Sequence, residues 1–249
     1  MKRFGFGVLL PFLLLCSCQK GSTSSAPVLS SPAEEKPLFV SALGDSITYG
    51  EGVRDKNDNW TKLITADERI GKVQNLGFNG SMVGLSGSVM DAYSFQNRWS
   101  EISQSATVVF VLGGTNDYVS DSPVPLGTKG DKEATTFYGA YDHLIRSIRE
   151  ARPKAKILCA TPLQRSDFGV DGDYDTENRL GYRLTDYCKA VKEVCGCYDI
   201  PVLDLQNSPS FVAGTEAFQA MFDDGLHPNK EGNRIPAEEI LTFLKENVL

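Results

Sequence analysis

Histidine is almost absent from this chain: its 249 residues contain two, His143 and His227. Any chemistry that needs an imidazole base therefore has two candidates. Clustered positive charge is missing too. The formal net charge is −7, with 25 Lys and Arg against 32 Asp and Glu, and no basic stripe. That excludes a nucleic-acid backbone as partner, because phosphate binding needs grouped cations. The apolar stretch Phe4 to Leu15 is too short to span a bilayer and is broken by Pro11. Paired metal-ligand spacing is also lacking. Cys195-Gly196-Cys197 has no matching second pair, whereas structural zinc wants four ligands in recognisable spacing. No internal repeat and no second domain stand out. The rest is ordinary globular composition, 41% hydrophobic and 23% charged, enough for one large α/β domain.

Lys2 and Arg3 precede the apolar stretch, which is the pattern of a secretory signal. It runs into Leu15-Cys16-Ser17-Cys18, which resembles a bacterial lipobox with Leu at −3, a small residue at −1 and Cys18 as the lipidated position. Cys16 fits less well, since bulky Leu15 precedes it. Residues 1–18 are expected to be signal peptide and lipobox. Residues 19–37, rich in Ser, Pro, Ala and Thr, are expected to be a flexible tether. Residues 38–249 are the expected folded domain. The protein is then expected to be an exported bacterial lipoprotein, held to a membrane by its lipid anchor, on the periplasmic face or the cell surface. Of the remaining cysteines, Cys188 and Cys195 share a helical stripe with Leu184, Tyr187, Val191 and Val194 and should face the core. Cys159 lies in an apolar strand, and any disulfide connectivity stays open.

Five short apolar runs recur: Leu38–Leu43, Val73–Leu76, Val108–Leu112, Ile157–Ala160 and Val202–Leu205. The third is continuous rather than alternating, as in a strand covered on both faces. Helical patterns lie between the runs. One spans Trp60 to Ile70 with Asn59 as cap, and others run over 134–151, 180–194 and 234–247. Strand and helix alternate throughout, which predicts an α/β fold, a parallel sheet with helices on both faces in a three-layer α/β/α sandwich. Two polar segments, 118–133 and 164–178, follow strands and should lie at the carboxyl rim of the sheet, where loops carry specificity.

The first strand delivers Gly44-Asp45-Ser46 into that rim. A hydroxyl is a poor nucleophile until a base takes its proton, so Ser46 needs a partner. His143 falls inside a helical pattern and reads as a packed helix residue. His227 lies in a loop before the last helix, in Asp224-Gly225-Leu226-His227-Pro228. Asp224 can fold back on the imidazole Nδ1, which leaves Nε2 free for Ser46. The plainer alternative is a turn in which Asp224 merely caps backbone amides. Acyl transfer also needs donors for a developing oxyanion. Asn116, in Gly113-Gly114-Thr115-Asn116-Asp117 after the third strand, can offer its amide. Gly80, after the second strand, can offer its N–H, with Gly77 and Gly84 as neighbouring possibilities. Asp45 and Asp117 read as structural hydrogen-bonding residues of their turns.

These four blocks in this order, Gly44-Asp45-Ser46, Gly80, Gly114-Thr115-Asn116-Asp117 and Asp224-Gly225-Leu226-His227, resemble the SGNH (GDSL) hydrolase family over residues 38 to about 245. The resemblance implies a flavodoxin-like sheet of five parallel strands in the order 2-1-3-4-5. It implies metal-independent ester hydrolysis with no cofactor. It also implies Ser46 as nucleophile, His227 as base, Asp224 as its orienter, and an oxyanion hole from the Ser46 and Gly80 N–H groups and the Asn116 side chain. The leading reading is an exported serine esterase or deacylase that works through an acyl-enzyme on a small-molecule or carbohydrate ester, acetylated carbohydrate being one such substrate. Lipase, thioesterase or acyltransferase chemistry on the same site, or a non-catalytic surface-binding lipoprotein, are the alternatives. Segment 118–133, rich in Asp, Lys, Gly and Pro, offers no apolar lid for a lipase.

Overall fold

The computed structural model describes residues 36–119, 121–166 and 175–249. The expected signal peptide, the lipobox with Cys18 and residues 19–35 of the expected tether lie outside them. The continuous apolar run Val108–Leu112 is buried at all five positions, as a strand covered on both faces must be. It becomes the middle of a sheet.

In chain order the elements are β1 (Leu38–Gly44), α1 (Ser46–Tyr49), α2 (Trp60–Leu63), β2 (Ile70–Gly77), α3 (Phe95–Arg98), β3 (Val108–Leu112) and α4 (Thr115–Val119). Then follow α5 (Phe137–Ala151), β4 (Lys156–Ala160), α6 (Leu184–Gly196), β5 (Val202–Leu203), α7 (Glu216–Met221) and α8 (Arg234–Val248). The five strands form one sheet in the order β2-β1-β3-β4-β5, and every pairing is parallel. This is the fold class and strand order that the sequence and its resemblance implied.

Successive side chains of β3 point to opposite faces, and each face has its own core. Val109 and Val111 join Phe137, Tyr141, Leu144 and Ile148 of α5 and Tyr187, Val191 and Cys195 of α6. Val108, Phe110 and Leu112 join Trp60 of α2, Ile64 just after it, and Ile240 and Leu244 of α8. Trp60 is fully buried and meets Phe110 edge-on, with ring centroids 5.6 Å apart. Truncating such a side chain to Ala costs about 3–5 kcal/mol. Cys159, Cys188 and Cys195 are buried as expected, Cys197 is exposed, and all four are free thiols.

Two expected elements shorten by half or more. The helix expected to Ile70 ends at Leu63 and gives way to a 3-10 turn at 64–66. Ile70 instead pairs beside Leu38 and opens β2, because an edge register with β1 offers its backbone a ladder that a helix end cannot. The last strand shrinks to Val202–Leu203, and Leu205 enters a 3-10 turn. There the Thr161 hydroxyl accepts from the Gln206 N–H at 2.9 Å.

Candidate active site

The carboxyl ends of β1, β2 and β3 converge on one rim, and each carries one block. Asp45 leaves β1 in extended backbone and caps α1, its carboxylate accepting from the Ile47 N–H at 2.9 Å. The cap starts the helix at Ser46, which is 4% exposed. As the first helical residue, Ser46 has an N–H with no partner inside its helix. After β2 the chain turns through Phe78-Asn79-Gly80-Ser81. Gly80 has φ +73°, the left-handed region that favours glycine, and a Cβ there would come 3.1 Å from the Met90 side chain. After β3, Asn116 lies in the first turn of α4 and donates its amide to the Ser81 carbonyl at 3.0 Å. That bond ties the Gly80 turn to the Asn116 turn. Among the described residues neither the Ser46 nor the Gly80 N–H donates to another group.

The other half of the site is the loop between α7 and α8. Asp224 uses its two oxygens differently. Oδ1 accepts from the N–H groups of Leu226, at 2.9 Å, and His227, at 2.7 Å. Oδ2 lies 2.6 Å from His227 Nδ1. The capping turn and the imidazole clamp, alternatives in sequence, thus coexist on one carboxylate. Burial alone would raise the Asp224 carboxyl. The His227 N–H and ring and the Leu226 N–H outweigh it and hold the carboxyl below its ordinary value. On the far side of the ring, His227 Nε2 lies 2.9 Å from Ser46 Oγ. The other histidine is elsewhere, with His143 Nδ1 2.7 Å from Gln96 Oε1 beside α5.

Beneath the rim are two buried acids. Asp117 accepts from the N–H groups of Val83, at 2.9 Å, and Gly84, at 2.8 Å. It thereby pins the segment after Gly80 to α4. Burial pushes its carboxyl up to about 6. Burial likewise pushes Asp45 up to about 7, with a smaller contribution from the nearby Asp117 charge. Both act through backbone amides, as their turns suggested.

Several supporting residues were not legible in the sequence. Asn233, 1% exposed before α8, accepts from the Trp60 N–H at 3.0 Å and donates to the Pro228 carbonyl at 2.6 Å. It fastens the His227 loop to α2. Gly52 lies against His227, so that a Cβ there would come 3.0 Å from the His227 Cβ. Arg165 and Ser166 form a further support. Asn233 and Gly52 belong to segments without a motif, and no local pattern marks them. Among the described residues no group of three or more His, Cys, Asp or Glu is arranged to hold a metal ion.

Residues 42–235 match the GDSL-like Lipase/Acylhydrolase family. No curated protein matches the sequence. Among solved structures, a protein from Lactobacillus plantarum is 32% identical, with a TM-score of 0.73 over 86% of this chain and 99% of that one. A possible lipase from Chitinophaga pinensis is 25% identical, with a TM-score of 0.64 over 84% of this chain and 98% of that one. A lipase/acylhydrolase from Enterococcus faecalis shares the fold at 18% identity, with a TM-score of 0.60 over 84% of this chain and 96% of that one. With a sheet ordered 2-1-3-4-5 and a family match over most of its length, the chain belongs to the GDSL-like lipase/acylhydrolases of the SGNH hydrolase family and is an ester-hydrolysing enzyme.

Proposed function

We propose that this protein hydrolyses carboxylic esters through an acyl-enzyme on Ser46. The observation that carries the reading is the unbroken relay from Asp224 through His227 to Ser46, at 2.6 Å and 2.9 Å. Ser46 Oγ attacks the ester carbonyl while His227 Nε2 takes its proton. Asp224 holds the tautomer with Nδ1 protonated and stabilises the imidazolium. The carbonyl oxygen becomes an oxyanion that the Ser46 N–H, the Gly80 N–H and the second Asn116 amide hydrogen receive. His227 then protonates the leaving alkoxide. A water molecule, deprotonated by His227, attacks the acyl carbonyl, and Ser46 leaves with the returned proton.

The substrate we favour is an acetylated carbohydrate. Polar groups border the relay: Asn79 donates to Glu51 at 2.7 Å beside the Gly80 turn, and Asp224 keeps 37% of its side chain exposed. Such a rim suits a hydroxylated leaving group and a short acyl chain. From the lipobox-like Leu15-Cys16-Ser17-Cys18 we further propose that the enzyme works outside the cytoplasm, anchored through Cys18. A Cys18→Ser variant that still fractionated with membranes would refute the anchor without touching the chemistry.

The test of the reaction is covalent labelling. Incubation with a fluorophosphonate should put one adduct on Ser46 by mass spectrometry, and an excess of acetyl ester present during the incubation should slow it. Labelling at another residue, or none, would refute the serine mechanism. A series of esters with lengthening acyl chains should show kcat/KM highest at acetyl, and a maximum at long chains would make the enzyme a lipase instead.

A further inference from the structure

Arg165 is 1% exposed, the least exposed arginine among the described residues. Taking a guanidinium out of water costs several kcal/mol unless other groups compensate it, so such a residue has a fixed structural neighbourhood. It lies on the loop after β4, below the rim. Its Nη1 donates to the Thr115 hydroxyl at 3.2 Å, and Thr115 is the residue before Asn116 at the start of α4. Its charge also acts on Asp45, lowering a carboxyl that burial raises. Asp45 is the cap that starts α1 at Ser46. Arg165 therefore bears directly on the segment that presents the oxyanion amide.

The next residue faces the other way. The Ser166 N–H donates to the Gly225 carbonyl at 2.9 Å, and Gly225 stands inside the Asp224–His227 turn. The approach is close. A Cβ on Gly225 would lie 2.0 Å from Ser166 Oγ, and Gly225 has φ +75°. Two consecutive residues span at most about 7 Å, so this pair is a short strap between two halves of a site that are 181 residues apart in sequence.

We propose that Arg165-Ser166 is a positioning dipeptide. Arg165 sets the Asn116 segment, which the sheet ties to the Ser46 segment through the Gly44–Leu112 pair, Ser166 sets the Asp224–His227 turn, and the peptide between them fixes the reach from His227 Nε2 to Ser46 Oγ. Neither residue touches the reacting atoms. The proposal rests on the serine mechanism above. Its expected size follows from geometry, since a misplacement of about 1 Å at a reacting pair costs roughly 10²-fold in rate.

The experiment uses the full-length chain and a short neutral chromogenic acetyl ester. Arg165→Met should lower kcat by about 10- to 100-fold with KM changed less than about threefold, and Arg165→Lys should recover part of the loss. Gly225→Ala should lower kcat in the same way, and adding Ser166→Gly, which removes the obstructing hydroxyl, should restore part of it. Circular dichroism and thermal melting check folding. If Arg165→Met does not fold, Thr115→Val, which removes the hydroxyl that Arg165 holds, decides alone: a lowered kcat with KM little changed supports the strap, and kcat within twofold of wild type overturns it. A folded Arg165→Met with kcat within twofold of wild type, or a loss carried by KM, also overturns it. Ser46→Ala is the control. If it keeps wild-type activity, the serine mechanism has failed. If it is inactive while the strap variants are unaffected, only the strap has failed.

Discussion

Ser46 follows a seven-residue strand directly through its cap and is 4% exposed, whereas Asp224 shows 37% of its side chain in a loop joining two helices. The nucleophile half inherits its geometry from the sheet. β1 has neighbours on both sides, and Gly44 pairs with Gly77 in one direction and Leu112 in the other. The blocks after β1, β2 and β3 are thus held in a common frame by ladder hydrogen bonds. The base half has no such frame. Its turn closes on itself through Asp224 Oδ1 and is then fastened from outside by Asn233 and Ser166. A self-closed turn keeps Asp224 beside His227 wherever the loop goes, but where the loop goes is decided by residues from other elements. Changes in the first half should act through what the residue itself does, and changes in the second through placement.

The largest effects should ignore the boundary between the halves. Ser46→Ala and His227→Ala should each lower kcat by roughly 10⁴ or more, and the double variant should be about as slow as either single one, because they act as one unit. Losses that multiplied in steady-state hydrolysis would show the halves working independently. Next in size, Asn116→Ala should lower kcat by roughly 10²–10³ with a smaller change in KM, as for one lost oxyanion donor. An effect confined to KM would place Asn116 in ground-state binding and weaken the case for the nucleophile half as a charge-stabilising frame.

Smaller is the effect of pH on stability through Asp45. Its carboxyl stands near 7 in the fold, raised by burial above the ordinary value of 3.8. A raised carboxyl contributes stability that is fully present below about 3.8 and is lost as pH rises through about 7. Asp45→Asn keeps an acceptor for the Ile47 N–H without the titration. Denaturant titrations should show the variant gaining on wild type between about pH 4 and pH 7, and a constant difference across that window would contradict the burial argument. Smallest of all, His143→Ala should leave kcat/KM within about twofold and lower stability by about 1 kcal/mol, the worth of one hydrogen bond, here to Gln96. A large loss of rate would mean that the base had been assigned to the wrong histidine.

Sequence and structure agree best where the signal is local. The run Val108–Leu112 is β3 to the residue, since continuous apolarity and burial on both faces are one property. The helix expected from 134 begins at Phe137, where the Thr136 hydroxyl accepts from the Gly139 N–H. The expected end at Ala151 holds because Pro153 follows closely. The failures come where a neighbour competes. Ile70 fits the helical stripe of Trp60 and Ile64, yet β1 claims it. For the site, the four blocks were legible because nucleophile, base and oxyanion chemistry restrict residue type and because glycine marks sharp turns. Asn233 and the Arg165-Ser166 pair were not, since Asn, Arg and Ser in polar segments are what any surface loop contains.

The sequence by itself determined which side chains could do chemistry here and in what order they come along the chain. With two histidines, one of them inside a helical pattern, it left His227 as the candidate base, and its apolar runs alternating with helical patterns pointed to a parallel sheet. Those are consequences of side-chain chemistry and of periods of a few residues. The tertiary structure alone decided that His227 Nε2 comes within 2.9 Å of an oxygen 181 residues away, and that an arginine and a serine between two loops span the gap. Contacts at that separation depend on how the strands and helices stack, and no short stretch of sequence carries that information, because each is a balance among many weak packing contacts spread over the whole core.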